Sequence, residues 1–329
     1  MKANEIINIL CATDDNYAPY CGIMLTSLFE SNKENRFDVY VFVDGNLSDK
    51  NARKIKKLEE RYGNIIHLKT IDNKLIKGCP INKLNELGTH LYVTLPTYYR
   101  LLAADLLPDT IHKIIYIDCD VIVNGNILPM WEVDMAGMAI AGVKDCGNDV
   151  YNFKLLDYPE EYGYINAGVA IYNLDYWRKE GLSARLFDYA RKNASVLRFM
   201  DQDVVNGVLY DKKVLLAERW NFQNVFFGQG NWKNYPDGFK KKIMDECQYA
   251  VVIHYCGVMK PWSFKYYGGP FMALWEKYRK LSFWRCSRQH KPMIKFLKHL
   301  AKMIFTPQKW KRVVESLWVV LPENRAVYN

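Results

Sequence analysis

The sequence predicts an α/β fold: a mostly parallel sheet flanked by helices. Three observations carry that prediction. Short runs rich in Ile and Val alternate with stretches of helical spacing through the first 145 residues. Half of the 329 residues are apolar and 14% are aromatic, enough to bury a large core. Acidic residues follow directly on several apolar runs, at the strand ends where open α/β sheets bind ligands.

The elements follow in chain order. Ile6–Ala12 is a compact apolar run and reads as a buried strand. From Pro19 to Ser31 the apolar positions Tyr20, Ile23, Met24 and Leu28 recur at helical spacing, and Pro is at home in a first helical turn. Phe37–Val43 is a second strand. Ser48 caps a helix striped by Ile55, Leu58 and Tyr62. Ile65–Ile71, Ile114–Ile117 and Met138–Val143 are three more strands, and Tyr98–Leu106 is helical. In the second half, Gly163–Tyr172 reads as a strand leading into a helix over Leu174–Lys179. Ser183–Asn193 and Asp201–Tyr210 are helices, and Val251–His254 is a last strand.

Charge divides the chain. Of the 45 Lys and Arg, 12 lie between Lys277 and Arg312, where there is no Asp or Glu; the other 33 stand against 36 acidic residues. The body is mildly acidic, which argues against a nucleic-acid partner. We therefore divide the chain into a body, residues 1–280, and a basic tail, 281–329. Within the tail, Lys295, Lys298, His299 and Lys302 share one helical face, and Met293, Phe296, Leu297, Leu300 and Ile304 share the other. With Trp284, Trp310 and Trp318 nearby, this suits an interfacial helix on an anionic membrane surface. A helix packed on the body with a solvated basic face is the competing reading. The short run at the N-terminus, interrupted by Asn8 and followed by Asp14, is not a signal peptide, and no run is long enough to span a bilayer. The eight cysteines lack C-x-x-C spacing, which fits a reducing compartment. The expected location is cytoplasmic, with the tail on the inner membrane face.

The sharpest local feature is Asp118-Cys119-Asp120. In an extended segment both carboxylates point to one side and Cys119 to the other. Two close carboxylates repel, and a hard divalent cation bridging to a diphosphate would relieve that. A solvated turn is the plain alternative. His254 ends another apolar run; an imidazole beside two carboxylates suits Mn²⁺ better than Mg²⁺, although a structural histidine would look the same. Gly257 permits close backbone approach, and Lys260 offers a point charge to a phosphate.

Six segments in order resemble the family 8 glycosyltransferases, among them the bacterial lipo-oligosaccharide and lipopolysaccharide galactosyl- and glucosyltransferases. They are Ala12-Thr13-Asp14-Asp15-Asn16-Tyr17, Thr97-Tyr98-Tyr99-Arg100-Leu101, Tyr116-Ile117-Asp118-Cys119-Asp120, Asn166-Ala167-Gly168-Val169, Asp201-Gln202-Asp203 and the stretch from His254 to Trp262. The resemblance spans about three-quarters of the chain. It implies a GT-A fold with a nucleotide-binding sheet. It implies that Ala12, Asp14 and Asn16 hold the uridine and ribose, and that Asp118, Asp120 and His254 ligate Mn²⁺, with Mg²⁺ as substitute. Gly257 and Lys260 would meet the diphosphate. Arg100, Asp145, Asn166, Ala167, Asp201 and Gln202 would line the sugar, with Asp145, Asp201 and Gln202 nearest the chemistry. The expected reaction is transfer of galactose or glucose from its UDP-sugar to a glycan or glycolipid acceptor with retention of configuration. The poorly nucleophilic Gln202 near C1 points to front-face attack.

Each residue has a plainer reading alone: Arg100 an ion-pair partner, Asp201 a helix cap, Asp145 and Asn166 turn residues, Gly168 a packing glycine. Two rival functions remain. A metal-dependent nucleotidyltransferase would also use paired Asp, but it normally carries a Gly-rich phosphate loop, and no G-x-x-x-x-G-K-[ST] occurs. A non-catalytic glycan- or membrane-binding module would keep the fold alone.

Overall fold

The computed structural model describes residues 6–80, 95–146, 155–227, 236–257, 260–263 and 269–285. Seven strands form the main sheet in the order β3-β2-β1-β4-β7-β6-β8. They are β1 (Ile6–Thr13), β2 (Arg36–Val43), β3 (Ile65–Thr70), β4 (Lys113–Ile117), β6 (Ile140–Lys144), β7 (Ile165–Asn173) and β8 (Lys213–Leu216). β7 alone runs against the rest, so β1, β4 and β6 end on one edge. A second sheet joins β5 (Val121–Val123), β10 (Val252–His254) and β9 (Phe222–Gln223) in that order. The expected last strand therefore forms, but not in the parallel sheet. β10 pairs antiparallel with β5, the strand that follows the Asp118-x-Asp120 turn.

Alternation along the strands feeds two cores. Ile7, Ile9 and Cys11 of β1 face one layer; Leu10 faces the other. The first layer is covered by α1 (Ala18–Ser31) and α2 (Asp49–Tyr62). Ser48 caps α2 as its sequence predicts, accepting from the Asn51 N–H. The second layer is covered by α3 (Leu174–Lys179), α4 (Leu182–Lys192) and α5 (Asp201–Leu209). Outside these lie α6 (Asp237–Cys247) and α7 (Met272–Leu281).

Two expectations change. The helix foreseen at Tyr98–Leu106 is a 3₁₀ segment, Leu95–Leu102, followed by a single α turn. The tighter winding eclipses residues three apart, which brings Thr97 and Arg100 onto one side. Trp284, grouped above with the tail tryptophans, belongs to the body. It is 2% exposed, it lies over Gly22 of α1, and its indole N–H donates to Asn51 Oδ1 at 3.0 Å. A Cβ on Gly22 would meet its ring at 1.9 Å. Trp284 is thus unavailable to a membrane. The tail helix around Pro292–Phe305, with Trp310 and Trp318, lies outside the described residues. Among the described residues, no helix is long and apolar enough to cross a membrane.

Candidate active site

Asp118-Cys119-Asp120 is the junction of the two sheets. The Asp118 N–H donates to Gly168 O of β7 at 2.8 Å, and the Tyr255 N–H donates to Asp120 O at 2.9 Å. Cys119 turns into the core, with its thiol donating to Ala12 O at 3.2 Å. Both carboxylates are left facing an open cleft of about 180 Å³. Ala12, Asp14, Tyr17, Thr97 and Arg100 line the same cleft.

His254 reaches this point from β10. Ligand atoms of Asp118, Asp120 and His254 all lie within 4.8 Å of one another, the one such trio among the described residues. The position is kept open by Gly168: a Cβ there would stand 2.3 Å from His254 Cε1 and 2.6 Å from Asp118 Oδ2. Two carboxylates and an imidazole, with no side chain between them, fit a divalent cation of the Mn²⁺ kind. The Lys260 ammonium pairs with Asp120 Oδ2 and donates to Tyr255 O at 2.8 Å. Burial would raise the Asp120 pKa; Lys260 and His254 outweigh it and hold the carboxyl far below its usual range. Burial alone would lower the pKa of His254, but Cys256 and Asp120 push it well above the ordinary histidine value.

Arg100 braces the other carboxylate. Its guanidinium donates to Asp118 Oδ1 at 2.7 Å, to Ala167 O at 2.7 Å and pairs with Asp201 Oδ2 at 3.0 Å, while stacking over Tyr116. Tyr116 donates to Asp118 Oδ1 at 2.8 Å. Thr97, one 3₁₀ turn before Arg100, donates to Asp201 Oδ1. Burial raises the Asp201 pKa to about 6 against the opposing pull of Arg100 and Thr97.

A web of buried polar groups is tied to Arg100 through Ala167. Asp145, just past β6, accepts from Asn166 Nδ2 at 2.9 Å and Gln202 Nε2 at 3.2 Å. Gln202 Oε1 accepts from the Ala167 N–H at 3.1 Å. The Tyr164 hydroxyl accepts from Gln202 Nε2 at 3.2 Å and donates to Asp203 at 2.6 Å. Gln202 follows directly on Met200 and Asp201, and Met200 sits at φ +47°, an uncommon backbone state for a residue with a side chain.

The profile of glycosyl transferase family 8 matches residues 8–265. The chain belongs to glycosyl transferase family 8. It is 28% identical over 267 residues to general stress protein A of Bacillus subtilis, covering 80% of this chain and 90% of that one. It is 27% identical to a lipopolysaccharide 1,2-glucosyltransferase of Escherichia coli K12 (81% of this chain, 78% of that one). It is 26% identical to a lipopolysaccharide 1,3-galactosyltransferase of Salmonella typhimurium (78% and 72%). The crystal structure of the galactosyltransferase LgtC with donor and acceptor sugar analogs superposes with a TM-score of 0.71 at 22% identity, covering 87% of this chain and 98% of that one. The fold is the GT-A arrangement, and this family 8 member is a glycosyltransferase.

Of the residues singled out in the sequence, Ala12, Asp14, Arg100, Asp118 and Asp120 line this family 8 cleft, while His254, Lys260, Asp201, Ala167, Gln202, Asn166 and Asp145 join it through ion pairs and hydrogen bonds, with three qualifications. Asn16 is exposed on the turn after β1 and is not among the residues lining the cleft. Asp201 does not cap α5: Met200 is the N-cap, and the Asp201 carboxylate is spent on Arg100 and Thr97. Gly168 is no mere packing glycine, since it vacates the space between Asp118 and His254. Gly257 has φ +76°, so a side chain there would strain the backbone. Sequence reasoning missed Tyr164, Asn221 and Gln223. Gln223 grips both flanks of Asp145, accepting from the Cys146 N–H at 3.1 Å and donating to Lys144 O at 2.9 Å. Asn221 and Gln223 lie in a segment with no motif or periodicity to mark them. Tyr17 closes the first of the six motifs; its ring lines the cleft, held edge-on by Tyr20 and Trp262.

Proposed function

We propose that this glycosyltransferase moves galactose or glucose from a UDP-sugar to a glycan or glycolipid acceptor, with retention of configuration. The supporting observation is the Asp118/Asp120/His254 trio at the sheet junction, opened by Gly168 and flanked by Lys260. The kinship to enzymes named for lipopolysaccharide glucosyl and galactosyl transfer supports an acceptor in cell-surface glycan assembly. That acceptor chemistry suits a cytoplasmic enzyme whose basic tail rests on an anionic membrane. Asp118, Asp120 and His254 would hold Mn²⁺. When bound, the ion supplies positive charge to the departing diphosphate.

The chain's own residues do the rest. Ala12 and Asp14 receive the nucleoside, and Tyr17 offers an aromatic face beside them. Lys260 brings an ammonium to the leaving group, and Gly257 lets its backbone approach. Arg100 fixes Asp118 and, through Asp201, the start of α5. Asp145, Asn166 and Ala167 bound the hexose. Two carboxylates near Gln202 are poorly placed as nucleophiles. Asp201 is 5% exposed and paired with Arg100; Asp203 is 1% exposed and accepts from Tyr164 and from the Arg198 and Phe199 N–H groups. Only Gln202 of that triplet is half-exposed. Its amide oxygen stabilises cationic character at C1 while the acceptor hydroxyl enters on the side of the leaving phosphate and loses its proton there.

The test is a thermal melt with Mn²⁺ and UDP, UDP-galactose, UDP-glucose, UDP-N-acetylglucosamine or GDP-mannose. A ligand at 100 times its Kd adds about 2.7 kcal/mol of stability. A Mn²⁺-dependent shift is expected with UDP species and is lost in Asp120→Asn. A well-folded sample indifferent to every nucleotide would sink the donor assignment.

A further inference from the structure

We infer that Asn221 is a positioning residue that fixes which nitrogen of His254 faces the cation position, and that its own orientation is dictated by Asp145 on the sugar side of the cleft. This rests on the metal-binding reading above.

A side-chain amide has one donating end and one accepting end. Asn166 lies between two groups whose roles are set. The Asp145 carboxylate accepts its Nδ2 at 2.9 Å, and the Gly168 backbone N–H donates to its Oδ1 at 3.1 Å. Both demand the same flip. Asn166 Oδ1 also accepts from Asn221 Nδ2 at 2.9 Å, which turns the Asn221 carbonyl the other way. That carbonyl oxygen stands 3.0 Å from His254 Nδ1. A carbonyl can only accept, so Nδ1 carries a proton. The lone pair of the neutral ring is then on Nε2, the nitrogen 3.3 Å from Asp120 Oδ1. Asn221 is 0% exposed, so water does not compete for either end of its amide. A single residue thus joins the cation ligand to the sugar pocket. Hydrogen bonds behind a ligating histidine commonly set its tautomer and ring angle, and losing them weakens metal binding about 10–100-fold.

The experiment has two arms. Protein labelled with ¹⁵N-histidine and saturated with diamagnetic Mg²⁺ and UDP is read by long-range ¹H–¹⁵N correlation, with His254→Ala to assign the ring. Nδ1 of His254 is expected to be protonated; a protonated Nε2 would overturn the inference. In the second arm, Mn²⁺ affinity in the presence of UDP is measured by electron paramagnetic resonance on wild type, Asn221→Asp and Asn221→Ser. The Asp variant keeps an acceptor for Nδ1 but sets a carboxylate against Asn166 Oδ1. It should hold Mn²⁺ at least as tightly as wild type and lose about tenfold in kcat. The Ser variant should bind Mn²⁺ about 10–100-fold more weakly. A merely structural role would lower Mn²⁺ affinity in both alike, and that result refutes the inference, as does a folded Ser variant with wild-type affinity. If the Ser variant does not fold, the tautomer and the Asp variant decide. Wild type that takes up no Mn²⁺ with UDP would instead sink the functional reading itself.

Discussion

On the β1 side of the cleft, Asp14, Asn16 and Tyr17 sit on one turn with solvent at their flank; Tyr17 is 37% exposed. On the β7 side, Asp145, Asn166 and Asn221 are 9%, 6% and 0% exposed, and each hydrogen-bonds to a residue brought from another element. The first side is assembled by neighbours in sequence: the Tyr17 N–H donates to Asp14 Oδ1 at 2.8 Å. The second is assembled by β6, β7, α5 and the β9–β10 sheet together. Buried polar networks in low dielectric act as units, so a change at one member moves the others. Exposed residues on a turn act one at a time. On the function proposed above, the contrast separates a pre-set reaction chamber from an adaptable nucleotide shelf.

The hardest test of that contrast is Gly168→Ala. One methyl would press on His254 and Asp118 at once. We expect kcat to fall about 100-fold, the loss typical of roughly 1 Å of misplacement, together with a higher Mn²⁺ requirement. Steady-state kinetics across a Mn²⁺ titration would show it. Turnover within threefold of wild type would mean the chamber has slack that the geometry denies.

The shelf should respond differently. Tyr17→Ala removes an aromatic face, and stacking on a base is worth about 1–3 kcal/mol. The donor KM should rise about tenfold with kcat within twofold. An equal fall in kcat would show that Tyr17 belongs to the chamber after all.

The smallest effect concerns the seam between the two sides, at Asp201. With its pKa raised to about 6 by burial, the folded state binds a proton that the unfolded chain releases nearer pH 4. Its contribution thus favours folding at the acid end and is lost as pH rises through about 6, by roughly 1–3 kcal/mol. In denaturant melts, the change in stability between pH 4 and 7 should differ by that amount between wild type and Asp201→Asn, with the variant flatter. Parallel curves would show that Arg100 keeps Asp201 ionised throughout.

The fold was legible because its signals are local. Ile7, Ile9 and Cys11 alternate with Leu10 in a strand, Ser48 caps α2, and the acidic residues after β1, β4 and β6 stand where parallel strands end. The Asp118-x-Asp120 pair was legible too, since period-two geometry puts two carboxylates on one side whatever surrounds them.

What the sequence determined by itself is therefore the α/β class, the strand-end carboxylates and, through six ordered motifs, the family. Tertiary structure alone decided how His254 arrives, because β10 finds β5 across about 130 residues of chain and no periodicity encodes that pairing. It decided that Trp284 belongs to the body, since only the groove over Gly22 makes burial of the indole favourable. It made Gly168 the opening of the site and Asn221 the link behind it. Burial and hydrogen-bond partners are relations between distant segments, and the same Asn or Gly in isolation carries no mark of them.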